Sequence, residues 1–212
     1  MSVSSLLIMI RRVLGLGFPA ISNLKENPFF FSSFSQDSVS ANSFGFKVAD
    51  TGSELYLGGA DDSLFTGSIE YHDLSSNNGF WEIGSAAVLV NGASAVSGFQ
   101  TIIDSGTTIM YGPPSAVEEV YAMVPGSALF DSTNGYFSFP CNSVPNIAFN
   151  WGGQDWAISS AKWVIQRVSD LDLIINFSFN LGQTTNDSSQ CIGALSALDL
   201  GLGRNVWLLG DR

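Results

Sequence analysis

The chain has 212 residues, of which 45% are hydrophobic, only 13% are charged and 22 are glycine. That length and composition allow a sizeable core in one large domain, or one domain plus part of another, and suit short strands and tight turns rather than a helical bundle. The formal charge is -11, from 8 basic against 19 acidic residues with no Lys/Arg cluster, so a phosphate backbone is repelled and nucleic acid is not an expected partner.

In chain order, "MSVSSLLIMIRRVLGLG" opens with an apolar run of five residues, Leu6 to Ile10, followed by Arg11 and Arg12. A signal peptide carries its charge before the apolar run, and five residues cannot span a bilayer. No targeting segment and no membrane span are expected. "NPFFFSSF" predicts a short helix with Pro28 in its first turn. "FGFKVA" and "SELYLGG" lie either side of "DTG" and predict a hairpin. "GSIEYHDL", "GFWEIGSAAVLVNG" and "GFQTIIDSG" follow as strand-like segments. "PPSAVEEVYAMVP" predicts a helix over 113–125, capped by Ser115 with Glu118 as capping-box partner, and with Val117, Val120, Tyr121 and Val124 on one face. "YFSFPC", "NIAFNWGG", "WAIS", "DLDLIINFSF" and "NVWLLGD" then read as strands. The expected fold class is all-β with one or two short helices and no short-period repeat.

The two cysteines, Cys141 and Cys191, are either buried thiols or one disulfide. The single histidine, His72, is not at metal-ligand spacing from them, so no metal site is expected. Sequons at Asn176 and Asn186 are candidate N-glycosylation sites, and with the cysteine pair they tilt the reading towards an oxidising, secretory compartment. The sparse basic content suits either a protein that works in acid or a plain acidic surface.

Two Asp-Ser/Thr-Gly triplets stand out, at Asp50 and Asp104. Such a triplet arises by chance in roughly one chain in ten of this size, and its default role is a turn. Asp104 has the richer surroundings. The apolar run "FQTII" delivers it into the protein, and Ser105, Thr107 and Thr108 offer hydroxyl donors. Gly106 lets the backbone approach. A carboxylate used for acid/base work needs such a shell to fix its orientation. Downstream, "VWLLGD" is another apolar strand ending in Gly.

"TIIDSGTT" together with "WLLGD" resembles the C-terminal lobe of a pepsin-like aspartic protease, in which such a triplet and a later hydrophobic-hydrophobic-Gly strand interlock around a catalytic Asp. "LGLGFPAIS", "ELYLGGAD…FTGSIEY" and "GFWEIGSAAVLVNG" resemble successive segments of the same family in the same order, so the likeness runs from about Leu14 to Asp211. It implies a bilobal β architecture with only the C-terminal lobe nearly complete. Residues 1–13 match nothing in the family, 14–70 would be the remainder of the N-terminal lobe with the inter-lobe strands, and 71–212 the C-terminal catalytic lobe, truncated at its end. The likeness also implies a Cys141–Cys191 disulfide and makes Asp50 a decoy in a surface hairpin. Asp50 is only 54 residues from Asp104, and Glu54 follows the triplet where the family prefers a small polar residue.

The implied activity is aspartic-type endopeptidase, with a polypeptide substrate, no cofactor, and a secreted or vacuolar setting. Asp104 would be one carboxylate of a dyad, supported by Ser105, Gly106, Thr107 and Thr108. The first-lobe Asp is expected upstream of residue 1, so this chain alone is expected to be inactive. Homodimerisation, one Asp per chain, is disfavoured because the lobe's terminal strands are missing. The alternative is a catalytically inactive β-domain that binds peptide or a partner protein. A carbohydrate-binding sandwich would use the five Trp residues, but it leaves "TIIDSGTT" with "WLLGD" unexplained; the Trp residues are expected in the core and at strand edges. His72 is expected on the surface.

Overall fold

The computed structural model describes residues 14–48, 51–158, 180–184 and 189–210. Asp50, Asn176, Asn186, Trp163, residues 1–13 and the segment "DLDLIINFSF" lie outside them.

The first region is small. A 3-10 turn at Pro19–Ile21 leads to helix α1, Phe29–Ser35, with Pro28 at its N-cap position. Strands β1, Phe44–Lys47, and β2, Glu54–Leu57, pair antiparallel, with Phe44 opposite Leu57 and Lys47 opposite Glu54. The expected hairpin is present. Its apolar residues do not close a core. Phe30 is the one fully buried side chain in the described part of 14–60.

The second region carries the rest. It has β3, Glu82–Val90; β4, Ala93–Asp104; β5, Met110–Gly112; and helix α2, Pro114–Ala122. These are followed by β6, Ala128–Asp131; β7, Tyr136–Pro140; β8, Ile147–Asn150; and β9, Asp155–Ala157. The last four are β10, Asn180–Gln183; β11, Gln190–Gly193; β12, Leu195–Ala197; and β13, Val206–Gly210. Seven strands form one sheet in the order β12-β5-β13-β4-β3-β8-β9, and four form another in the order β10-β11-β7-β6. The fold is the all-β one expected.

Three local expectations are corrected. "GSIEYHDL" forms no strand; it is a connecting segment touching the sheet through one bridge, Leu74 to Ile83. Helix α2 starts at Pro114 with Pro113 at its N-cap and no side-chain cap, so Ser115 lies inside the first turn. Proline at N1 suffices there, since its missing N–H would have been unpaired anyway. His72 is partly buried, because Glu70 and the β8–β9 hairpin close around it.

The core lies between the sheets and α2. Trp207 stacks on Phe99 with ring centroids 4.5 Å apart, and Phe149 meets both edge-on. Val117, Val120 and Tyr121 form the buried face of α2 as their spacing predicts; the helix ends at Ala122, before the expected 125, and Val124 is buried just past it. Tyr121 stacks on Phe137 at 4.3 Å and donates its hydroxyl to the Leu195 carbonyl at 2.8 Å. Full burial of each large side chain contributes about 1.5–3 kcal/mol. Gly112 lets this packing close: a Cβ there would stand 2.8 Å from Val117 and 2.9 Å from Trp207. Cys141 and Cys191 are joined in a disulfide across a sequence separation of 50, which tethers β11 to the turn after β7. Loop-closure entropy puts its contribution at about 4 kcal/mol. Of the tryptophans, Trp207 is core, Trp81 and Trp151 are half-buried, and Trp156 sits exposed on the sheet-edge strand β9.

Candidate active site

Asp104 is the last residue of β4. Phe99, Thr101 and Ile102 bury that strand, so its end is anchored. β13 runs parallel beside it, with Trp207 opposite Thr101 and Gly210 opposite Asp104. On its other side β13 meets β5 at Leu208 and Tyr111. The chain therefore leaves β4, passes over the end of β13, and returns as β5 with β13 between the two. The crossing works because residue 210 is Gly. A Cβ there would run into the carbonyls of Thr107 and Ile109. The triplet and the hydrophobic-hydrophobic-Gly strand are thus interlocked.

Within the crossing loop, the Gly106 N–H donates to Asp104 Oδ1 at 2.9 Å and the Thr107 hydroxyl donates to Oδ2 at 2.6 Å. The Thr107 N–H closes a turn onto the Asp104 carbonyl at 3.2 Å. Both carboxylate oxygens are oriented, and Asp104 is half-buried. Two of the expected supporting residues do not contribute this way. Ser105 and Thr108 are exposed, and among the described residues neither side chain hydrogen-bonds to Asp104. The turn closed by the Thr107 N–H explains it: of the three hydroxyls only that of Thr107 is folded back onto the carboxylate.

Support from below was not legible in the sequence. Trp151 Nε1 donates to Thr101 Oγ1 at 2.8 Å, and Thr101 Oγ1 donates to the Ile83 carbonyl at 3.2 Å. This ties β3 and the end of β8 to β4 three residues before Asp104. The partners are 50 residues apart and no local pattern links them. A buried acid, Glu82, accepts from Ser75 at 2.9 Å, Ser76 at 3.2 Å and Asn78 at 2.7 Å, fixing the loop before β3.

Ser105 borders an open cavity of about 630 Å³. Phe18, Phe30 and Phe44 of the first region form one wall; Trp81, Ile83 and Ile103 form the other. Trp81 is the joint between the regions. Its ring lies 4.4 Å from that of Phe18 and 5.7 Å from that of Phe44, and its Nε1 donates to the Leu16 carbonyl at 2.9 Å. Among the described residues no three His, Cys, Asp or Glu side chains cluster to hold a metal, and no helix is long and apolar enough to cross a membrane.

The profile of the eukaryotic aspartyl protease family matches residues 6–212. An aspartic protease of Phaffia rhodozyma is 36% identical over 203 residues, covering 93% of this chain and 45% of the relative. Pepsin A of Sus scrofa is 26% identical over 208 residues, covering 94% and 48%, and cathepsin D of Bos taurus is 27% identical over 210 residues, covering 94% and 49%. The chain spans about half the length of these curated relatives. It belongs to the eukaryotic aspartyl protease family, the pepsin-like aspartic proteases.

Proposed function

We propose that this chain is the part of an aspartic-type endopeptidase that carries one catalytic carboxylate, Asp104. The observation that supports the reading best is the interlocked loop: a half-buried carboxylate at a strand end, with one oxygen held by the Gly106 N–H and the other by the Thr107 hydroxyl. Two facing carboxylates share one proton because both cannot ionise at close range. The ionised one activates a water and the protonated one polarises the scissile carbonyl. Asp104 alone cannot divide these roles. The second Asp belongs, on this reading, to the half of the relatives' length that this chain does not span.

The substrate is a polypeptide held extended beside Asp104, and the setting is secretory or vacuolar, with residues 71–212 acting as the catalytic lobe. Asn176 and Asn186 are then glycan acceptors. Ser105 is exposed beside the cavity. An inactive peptide-binding domain is the competing reading, and the open apolar cavity favours it.

The deciding experiment uses the protein made from its native transcript. Asp104→Asn should lower peptide cleavage at acid pH by about 10³-fold or more, the scale of a lost acid/base group. Retained cleavage would assign the chemistry elsewhere. The 212-residue chain by itself should leave peptides uncut; pepstatin-sensitive cleavage by it would remove the need for an outside aspartate.

A further inference from the structure

We propose that Glu70 and His72 form an acid-released clasp that fastens the connecting segment 67–74 to the β8–β9 hairpin beside the cavity. The clasp stands on its own geometry and does not depend on the role given to Asp104.

His72 Nε2 lies 2.7 Å from Glu70 Oε1. Both atoms are shut off from solvent and lie against each other, and among the described residues neither has a hydrogen-bond partner of proper geometry. The side chains are 21% and 16% exposed for His72 and Glu70, although Tyr71 between them is 83% exposed. The other carboxylate oxygen, Oε2, accepts the Gln154 N–H at 3.0 Å, a contact across 84 residues. Gly153 presses so closely on the carboxylate that a Cβ at 153 would collide with it. The pair therefore spends its burial on joining two elements with no strand pairing between them.

The clasp also touches what positions Asp104. The His72 ring is 6.2 Å from the ring of Trp151, the side chain that donates to Thr101 on β4. His72 lines the cavity with Ile83 and Ser105.

The other acids nearby are turned to partners of their own or to solvent. Asp155, on the same hairpin, is bound to the Asn150 side chain at 2.7 Å. Glu82 is turned to Ser75, Ser76 and Asn78, and Asp104 to Gly106 and Thr107. Asp73, next to His72, is exposed. Among the described residues His72 is the one ionisable side chain in contact with the Glu70 carboxylate. The Gln154 N–H, and after it His72 and Trp156, hold the Glu70 carboxyl below its ordinary value of 4.5. A depressed acid stabilises the folded contact above that value and loses the contribution as pH falls through its lower folded value. The clasp is closed near neutrality and in mild acid, and opens in stronger acid.

Hydrogen exchange on the 212-residue chain tests this, read as protection factors in a series from about pH 5.5 down to about pH 2.5, with the two ends of the series compared and the midpoint read between them. The Gln154 amide should lose about fivefold protection on going to the lower pH, in keeping with a charge-assisted hydrogen bond. Amides of the β4–β13 ladder should hold theirs. Glu70→Gln should show the low protection at both pH values. His72→Gln should keep the Gln154 bond at the higher pH but move the loss upwards towards pH 4.5, the ordinary Glu value. Equal Gln154 protection at both pH values would overturn the clasp. So would a parallel loss in the β4–β13 ladder, an unaltered profile in Glu70→Gln, or an unshifted midpoint in His72→Gln.

Discussion

The two regions of the molecule share a composition rich in aromatics and differ in what they do with it. In 81–210, Phe99, Phe139, Tyr121 and Trp207 vanish into one core. In 14–60, Phe29, Phe34, Phe46 and Tyr56 remain exposed, and Phe18, Phe30 and Phe44 line an open cavity. Burial of apolar surface is the main favourable term in folding. The second region is therefore self-supporting and the first leans on it through Trp81. An apolar wall is left open beside the candidate catalytic loop. It is the surface through which such a chain would aggregate.

The sharpest way to break this contrast is paired truncation. Phe99→Ala should cost about 3–5 kcal/mol, because it removes a ring from a packed site that cannot collapse. Phe46→Ala should cost no more than about 0.5 kcal/mol, since its side chain is 49% exposed. Urea unfolding of the two variants measures both. Equal losses would mean that the first region is as integral as the second.

A smaller effect isolates the second core by pH. Burial pushes the Tyr121 hydroxyl well above its ordinary value of 10.0, against a smaller lowering effect of the Leu195 backbone. A raised acid contributes nothing to pH dependence below its unfolded value and destabilises the fold once pH passes it. Stability should fall steadily above pH 10.0, and Tyr121→Phe should flatten that fall at a fixed cost of about 1 kcal/mol from the lost hydrogen bond. Urea midpoints on either side of pH 10.0 test it. A Tyr121→Phe profile that falls as steeply as the parent would place the alkaline loss elsewhere.

The smallest expected effect is at the surface of the same region. Asp131 is held below its ordinary value of 3.8, first by the Asn134 side chain, then by the Asn134 and Thr133 backbone N–H groups. Its contribution is present above pH 3.8 and lost as pH falls below it. Asp131→Asn should reduce the acid slope of the thermal midpoint slightly and leave the alkaline slope untouched. A change on the alkaline side would show that the turn communicates with Tyr121.

Much of this was legible in the sequence. Alternation and turn residues mark the strands, the 3.6 period of Val117, Val120 and Tyr121 marks α2, and "TIIDSGTT" with "WLLGD" marks the family and the loop around Asp104. These signals survive because they are local: a period, a turn or a triplet is set by neighbours in the chain. What only the tertiary structure decided is non-local. It brought Gly210 against Thr107 and Ile109, paired Trp151 with Thr101, and enclosed Glu70 and His72 against the β8–β9 hairpin. It also chose Thr107 over Ser105 and Thr108 as the hydroxyl on Asp104. Each of these depends on where strands far apart in sequence come to lie side by side. No residue type announces that position, because it is fixed by the packing of the whole sheet.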